Sequence, residues 1–240
     1  MANGKPPLLA VLIDADNIPA KYAEAILKEI TSFGEPALRR VYGDWKSARL
    51  SDWADKVRNL GLIAHQETSN TKGKNASDIG LVIDAMDILH TGRFDGFVLV
   101  SSDSDFTRLA SRIREQGLDV IGIGEAKAPV SLRNVCNRFV LIENLIEEPE
   151  TPKKGAEPAA PIPGKRAPEE ATELIIRAME KIDQEGDWFT LGQIGQFITA
   201  DNPDFDTRTY GKRKLSDLVQ DLKRFETKRE GNQLHVRRVD

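Results

Sequence analysis

Six short, mainly apolar segments alternate with helix-like stretches along the first 146 residues. The predicted strands occupy residues 8–13, 37–42, 62–66, 95–100, 118–123 and 138–142. Between them, apolar residues recur at helical spacing, most clearly at Ile79, Val82, Ile83, Met86 and Leu89. A regular alternation of strands and helices favours an α/β fold, in which a parallel sheet is covered by helices on both faces.

The order of the strands determines which loops meet. Because right-handed crossovers leave few possible topologies, we expect the order 3-2-1-4-5, with the sixth strand at the edge. Strands 1 and 4 are then neighbours at the point where the winding reverses. Sheets of this kind bind ligands there, outside the carboxyl ends of the strands.

A proline-rich segment divides the chain. Residues 149–168 contain six prolines and two glycines and too few apolar residues to form a core. We therefore predict three parts: an α/β domain over residues 1–148, a flexible linker over 149–168, and a small domain over 169–240.

The last part carries the pattern of three helices followed by a hairpin. Thr190 and Gln193 fit a capping box at the start of the second helix, and a third helical stripe lies within residues 215–222. Two short strands then flank Gly231-Asn232, a typical hairpin turn. This order predicts a winged helix-turn-helix domain.

Charge is unevenly distributed over this domain, although the whole chain has a net charge of only −4. Residues 169–207 contain ten acidic and two basic side chains, whereas residues 208–240 contain ten basic and five acidic ones. The second stretch predicts a basic surface, which either binds nucleic acid or is a solvated charged face. Its candidate RNA-binding residues are Lys212, Arg213, Lys214, Lys228 and Arg229.

The composition excludes several protein classes. There is no apolar run of about 18 residues that could span a membrane, and the first residues lack a secretory signal pattern. A single cysteine, Cys136, excludes an internal disulfide and a cysteine-based zinc cluster. We expect a cytoplasmic protein without a membrane partner.

Four aspartates are placed where predicted strands end or the next helix begins. Asp14 ends strand 1, Asp78 opens the helix after strand 3, and Asp103 and Asp105 follow strand 4. All four belong to the carboxyl edge of the sheet, where close carboxylates repel one another unless a cation is present. Oxygen ligands suit Mg²⁺ or Mn²⁺, which can polarise a phosphodiester and activate water. The pattern predicts a catalytic metal site.

Helix capping is the alternative role for each of these aspartates taken singly. We expect Asn17 to cap the next helix or to orient Asp14, and Ser101 and Ser102 to support the second acidic turn. Asp16 is expected to point elsewhere. Asp84, six residues after Asp78, should lie on a different face of its helix.

Two loops could bring a polynucleotide to the acids. Lys72 and Lys74, just before Asp78, could hold phosphates or simply be solvated. Trp45, after strand 2, could stack on a base or pack within its own loop.

Several motifs of the first domain occur in the order typical of one family. The segments IDADN, RVYGDW, K-x3-SDI with a following IDAMD, and SSDSDF resemble the NYN domain over residues 8–146. NYN is a PIN-like nuclease family that includes the LabA-like bacterial proteins. The resemblance implies a Rossmann-like (PIN-like) sheet and Mg²⁺- or Mn²⁺-dependent RNA cleavage. It also implies an acidic site at Asp14, Asp78, Asp103 and Asp105. Ser102 stands where the family commonly has glycine. The added side chain could hinder close approach of the backbone to a ligand.

The C-terminal domain is similar to the OST-HTH/LOTUS domain over residues 169–238. The resemblance lies in FTLGQIGQFI, NPDFDTRTYG, KLSDLVQDL and FETKREGNQLHVRRV. It implies a winged helix that binds RNA or, in some cases, a protein partner. The combined expectation is a metal-dependent ribonuclease. A non-catalytic RNA-binding adaptor and a DNA-binding regulator are the alternatives.

Overall fold

The computed structural model describes residues 5–66, 76–146, 164–184 and 186–239. The chain divides into two compact units, residues 1–147 and 148–240. Most of the predicted linker, residues 149–163, lies outside the described residues. The end of that predicted segment is ordered, because Pro168–Ala171 form a 3₁₀ turn that leads into the first helix of the second unit.

Six parallel strands form the sheet of the first unit. They are β1 Leu8–Asp14, β2 Glu35–Gly43, β3 Ile63–Gln66, β4 Gly96–Val100, β5 Asp119–Gly124 and β6 Arg138–Leu141. Their order is β3-β2-β1-β4-β5-β6, which confirms the predicted fold class and topology. Ile13 of β1 lies between Val41 of β2 and Val100 of β4, so β1 and β4 meet at the centre.

Five helices cover the two faces of this sheet. They are α1 Ala23–Ile30, α2 Ser51–Leu60, α3 Ala76–His90, α4 Thr107–Glu115 and α5 Val130–Val135. Alternate residues of β1 enter two separate cores: Val11 and Ile13 pack with α1 and α2, whereas Leu12 packs with α3 and α4. This explains why β1 is apolar without interruption, since each buried aliphatic side chain stabilises the fold by about 1.5–3 kcal/mol.

The helix α3 buries only part of the face that its apolar spacing predicted. Leu89 is buried and Val82 and Met86 pack against the core, as predicted, but Ile79 and Ile83 are 61% and 57% exposed. Leu81, Ala85 and Ile88, which lie outside the predicted stripe, also pack in the core. Because apolar residues occur nearly all around this helix, their spacing could not identify the buried face. Among the described residues, no helix combines the length and apolar character that crossing a bilayer requires.

The second unit combines three helices with a small antiparallel sheet. The helices are α6 Thr172–Lys181, α7 Leu191–Asp201 and α8 Leu215–Asp221, and the strands are β7 Phe189–Thr190, β8 Phe225–Glu230 and β9 Gln233–Arg238. The capping box is present at the start of α7, and the hairpin turns at Gly231, whose φ is 58°. The winged-helix prediction is confirmed. The two-residue strand β7, which pairs with β9, was not predicted.

Candidate active site and nucleic-acid surfaces

The carboxyl ends of β1 and β4 bring two acidic turns together. Asp14 is the last residue of β1 and is only 3% exposed. Ser101 follows β4, and its Oγ donates a hydrogen bond to Asp14 Oδ2 at 2.9 Å. The backbone N–H of Asn17 donates to Asp14 Oδ1 at 3.2 Å. The strand order thus joins residues that are 87 positions apart in the sequence.

Asp14 is buried, and its charge is not balanced by a basic side chain in the part of the chain that the structure describes. Burial raises the pKa of Asp14 to about 7, the Ser101 hydroxyl opposes this rise, and the negative charge of Asp78 adds to it. No basic side chain of the described residues forms an ion pair with Asp14 or Asp78. This environment favours the protonated form of the carboxyl, whereas a bound cation would favour the ionised form.

Two further hydrogen bonds connect the acidic turns. Ser102 N–H donates to Asn17 Oδ1 at 3.0 Å, and Asp103 N–H donates to Ser101 Oγ at 3.1 Å. Ser101 therefore bonds to both acids, and Asn17 spans the two turns. These contacts suit the supporting roles predicted for Asn17, Ser101 and Ser102, which stay predictions.

The other acids act on one another through their charges. Partial burial raises the pKa of Asp78, and the charges of Asp103, Asp105 and Asp16 raise it further. Asp78 therefore lies in the field of both acidic turns. The charge of Asp16 also contributes to this field, while the direction of its side chain stays a prediction.

Capping and clustering coexist at Asp103. Its side chain is the N-cap of the 3₁₀ turn at residues 104–106, because Oδ1 accepts the N–H of Asp105 at 2.9 Å. The charge of Asp103 nevertheless raises the pKa of Asp78. Capping is thus a real role of this residue, and it leaves the carboxylate within the acidic region. Asp105 is exposed at the start of the same turn.

The acidic region matches a divalent metal by the chemistry of its donors. All of its ligand atoms are oxygens and its carboxylates repel one another, which suits hard cations such as Mg²⁺ and Mn²⁺. Within the described ranges, no three acidic, histidine or cysteine side chains are already grouped as a metal cage. The match to a divalent metal therefore rests on the type of donor atom and on the negative charge. Asp14, Asp78 and Asp103 are the side chains that would hold the ion.

Ser102 is accommodated by a contact with the neighbouring strand. Its Oγ accepts the N–H of Glu125, just after β5, at 2.8 Å. Gly124 allows this approach, because a Cβ there would lie 2.6 Å from the carbonyl oxygen of Ser101 and 3.1 Å from Ser102 Oγ. The hydroxyl that replaces the family's glycine is therefore bonded to the end of β5.

Gly124→Ala is expected to destabilise the first unit by about 1–3 kcal/mol, since an added methyl must displace the Ser101 backbone. Thermal unfolding measures the change, and cleavage of labelled RNA measures its effect on the site. Gly192→Ala is the matched control, because a Cβ at Gly192 meets nothing within 4 Å. A Gly124→Ala variant as stable as the wild type would contradict the close packing of β5 on this turn.

Asp84 belongs to a separate polar cluster. Its Oδ2 accepts hydrogen bonds from Arg40 Nη1 and from the Tyr42 hydroxyl, each at 2.5 Å, and His65 Nδ1 lies 3.7 Å away. Partial burial opposes the ionisation of Asp84, but the bonds from Tyr42 and Arg40 outweigh it and lower its pKa. Asp84 thus ties α3 to β2, in agreement with its expected position on another face from Asp78.

Trp45 has the contacts of a packed loop aromatic, the alternative to base stacking. Its Nε1 donates to the carbonyl of His65 at 2.8 Å, and its backbone N–H donates to Gln66 Oε1 at 3.0 Å. The indole also packs against the first core. Lys72 and Lys74 lie outside the described residues, so their predicted contact with phosphates stays a prediction.

The predicted basic patch of the second unit is partly balanced by its own acids. Lys212 forms an ion pair with Asp221, at the far end of α8, and Lys228 pairs with Glu230. Lys214 is the N-cap residue of α8. Arg213 and Arg229 are exposed. Because α8 has seven residues and includes Asp217 and Asp221, it is poorly suited to enter the major groove of duplex DNA.

Comparisons with known proteins agree with this architecture. The family model for the NYN domain matches residues 8–143, and that for the OST-HTH/LOTUS domain matches residues 165–236. No curated protein matches the chain.

Solved structures add support for the fold. A crystal structure of a protein of unknown function from Vibrio parahaemolyticus has a TM-score of 0.51 at 21% identity, and the match covers 59% of this chain and 96% of that one. A solution structure of an uncharacterized protein from Nitrosomonas europaea is 31% identical over 40% of this chain and 92% of its own, with a TM-score of 0.28. The first similarity concerns the fold alone.

Proposed function

We propose that the chain, which belongs to the NYN domain family and continues into an OST-HTH/LOTUS domain, is a ribonuclease that requires Mg²⁺ or Mn²⁺. The observation that carries the proposal is the buried Asp14, whose pKa is raised to about 7 beside the charge of Asp78. Maintaining a carboxylate in such a place is costly for stability. A bound cation would offset this cost and would explain why a carboxylate is buried at this position.

The residues of the first unit have distinct parts in this reaction. Asp14, Asp78 and Asp103 would hold the cation, which supplies polarisation of the phosphodiester and activation of water. Ser101 and Asn17 fix the orientation of Asp14 through the hydrogen bonds described above. Asp105, exposed on the turn, faces the solvent from which RNA arrives.

The second unit would recruit the RNA. It contains all ten basic side chains of residues 208–240, and its resemblance to the OST-HTH/LOTUS domain implies RNA binding. Phosphate contacts from exposed lysines and arginines would bring the polynucleotide near the protein and weaken with added salt.

RNA cleavage by the purified chain tests the proposal. We expect labelled RNA to be cut in Mg²⁺ or Mn²⁺, to remain intact in EDTA, and to be cut at least about 100-fold more slowly by Asp14→Asn, the loss typical of removing one strong electrostatic contact to the transition state. Asp87→Asn, on the exposed side of α3, is the matched control and should cleave like the wild type. Equal cleavage by the wild type and Asp14→Asn would sink the assignment.

A non-catalytic RNA-binding adaptor is the second candidate. The observation that favours it is that Asp103 already has a capping role, while no three-residue metal cage is formed in the described ranges. Calorimetry with Mn²⁺ separates the two: heat of binding lost in Asp14→Asn supports the enzyme, and no binding at millimolar Mn²⁺ supports the adaptor. A DNA-binding regulator would instead require tighter binding to duplex DNA than to RNA.

A further inference from the structure

Trp188 stands apart from the other aromatic residues of the second unit. Among the described residues of that unit, it is the only phenylalanine, tyrosine or tryptophan that neither joins the core nor packs against it. Its side chain is half-buried on the surface just before β7. A single aromatic side chain at the surface is ordinary in a folded protein, so what distinguishes Trp188 is the set of side chains around its ring.

Two cations lie against the Trp188 ring. Lys228 Nζ is 4.4 Å from the ring centroid, and Arg237 Cζ is 4.9 Å from it. The register explains this arrangement, because Phe189 pairs with Val236 and one further step places Trp188 beside Arg237. Lys228 lies diagonally opposite on β8, since it pairs with His235. Cation–π contacts of this kind hold the indole and both cations together on one face of the sheet.

His235 adds an unsatisfied polar atom to the same face. His235 lies two residues before Arg237 on β9, so the two residues share one face of the sheet. On the neighbouring strand β8, His235 pairs with Lys228. Its Nδ1 is buried, and in the described part of the chain it has no hydrogen-bond partner. A buried polar atom without a partner costs about 1–3 kcal/mol, a cost that a polar ligand group would recover if its binding turned the His235 ring outward.

The two cations are available for exchange with a ligand. Arg237 is paired with Glu226 at 2.5 Å and Lys228 with Glu230 at 2.6 Å, and the four side chains are 38–58% exposed. Exposed ion pairs contribute only about 0–1 kcal/mol, so replacing a glutamate by a phosphate costs little. Before a ligand binds, Glu226 and Glu230 hold the two cations in position.

We infer that the Trp188 surface, formed by Trp188, Lys228, His235 and Arg237, stacks a base of single-stranded RNA and contacts its flanking phosphates. The combination of a partly exposed aromatic ring and adjacent cations is how proteins bind single strands without reading a duplex groove. The inference rests on the proposed function, to which it adds the face of the second unit that holds the substrate. It includes Lys228 among the RNA contacts. It also centres the RNA-binding site on the sheet of β7, β8 and β9 and not on α8.

Binding of a fluorescein-labelled single-stranded 12-nucleotide RNA by the full chain in EDTA tests this inference. Trp188→Ala is expected to weaken binding about 5- to 100-fold, the loss of one base–aromatic stack, whereas Trp188→Phe stays within about threefold of the wild type. Lys228→Gln with Arg237→Gln should reduce the slope of log affinity against log salt by about 1.4, or about 0.7 for each phosphate. Lys223→Gln with Arg224→Gln is the control of equal charge, exposed elsewhere on the unit, and should leave most of that slope intact.

The outcomes separate this inference from the nuclease proposal. The proposed Trp188 surface is wrong if Trp188→Ala binds the RNA like the wild type. It is also wrong if both double variants lose the same amount of the slope of log affinity against log salt. Either result leaves recruitment of RNA by the second unit intact. A wild type that does not bind the 12-mer also overturns it, and cleavage lost in Asp14→Asn would still support the nuclease. Thermal unfolding checks that each variant is folded, and if Trp188→Ala is not, the charge pairs alone decide.

Discussion

Asp14→Asn is expected to stabilise the first unit at pH 8 by up to about 4 kcal/mol, although it removes the side chain on which the proposed cleavage depends. Burial raises the pKa of Asp14 from 3.8 to about 7, and each unit of difference corresponds to about 1.4 kcal/mol. An asparagine amide is neutral at every pH and avoids this cost. It can still accept the Asn17 N–H through Oδ1 and donate to Ser101 through Nδ2.

The pH dependence has a definite sign. Because the pKa of Asp14 is higher in the folded than in the unfolded chain, folding favours its protonated form. This contribution to stability is fully present below about pH 4 and is lost as the pH rises through about 7. The advantage of Asp14→Asn should therefore be largest at pH 8 and nearly vanish at pH 4.

Urea unfolding of the wild type and Asp14→Asn at pH 4, 6 and 8, with EDTA present, measures this difference. Asp87→Asn controls for a change of net charge and should show no comparable trend. Mn²⁺ should raise the melting temperature of the wild type by mass action and leave Asp14→Asn unchanged. A stability difference that is the same at all three pH values would contradict the raised pKa.

The second large effect is expected at Trp53, in the core behind the first acidic turn. Its side chain is 2% exposed, and Nε1 donates to the carbonyl of Ile18 at 2.7 Å. The N–H of Ile18 donates in turn to the carbonyl of Asp14 at 3.0 Å. Trp53→Ala removes the ring and leaves the Ile18 carbonyl unpaired, so the free energy of unfolding should fall by at least about 4 kcal/mol.

Trp53→Phe isolates the hydrogen bond, because it keeps an aromatic ring and loses the donor. We expect it to cost about 1–3 kcal/mol and to slow RNA cleavage by loosening the turn that carries Asp14. Val57→Ala, on the same helix and packed against the same core, is a control that loses volume without touching this turn. If both variants lowered stability equally and neither affected cleavage, Trp53 would have no part in positioning Asp14.

The sequence predicted the strands and their order because both follow from short-range signals. Uninterrupted apolar runs such as Val11–Ile13 have one explanation in a chain of this length, burial on both faces of a parallel sheet. Handedness then restricts how the strands connect. The helical face of α3 could not be chosen in the same way, since Ile79 and Leu81 are both apolar and only the neighbouring strands decide which one is buried.

The sequence identified candidate residues for the site but did not predict the contacts between them. The topology placed Asp14 beside the turn at Ser101, but the double hydrogen bond of Ser101 depends on side-chain directions that the sequence does not contain. Trp188 was missed for a related reason. The two-residue strand β7 is too short to show alternation, so nothing in the sequence indicated that Trp188 would meet cations from β8 and β9.

The hydrogen bond from Ser101 to Asp14 also bears on when activity can arise during synthesis. Asp14 is made 87 residues before Ser101, and contacts of such long sequence separation form only after a large loop has closed. A nascent or partly folded chain therefore exposes the first acidic turn without its partner, and the candidate site is complete only when β4 has docked on β1. For the proposed ribonuclease, assembly of the central sheet would prevent unfinished chains from cutting RNA.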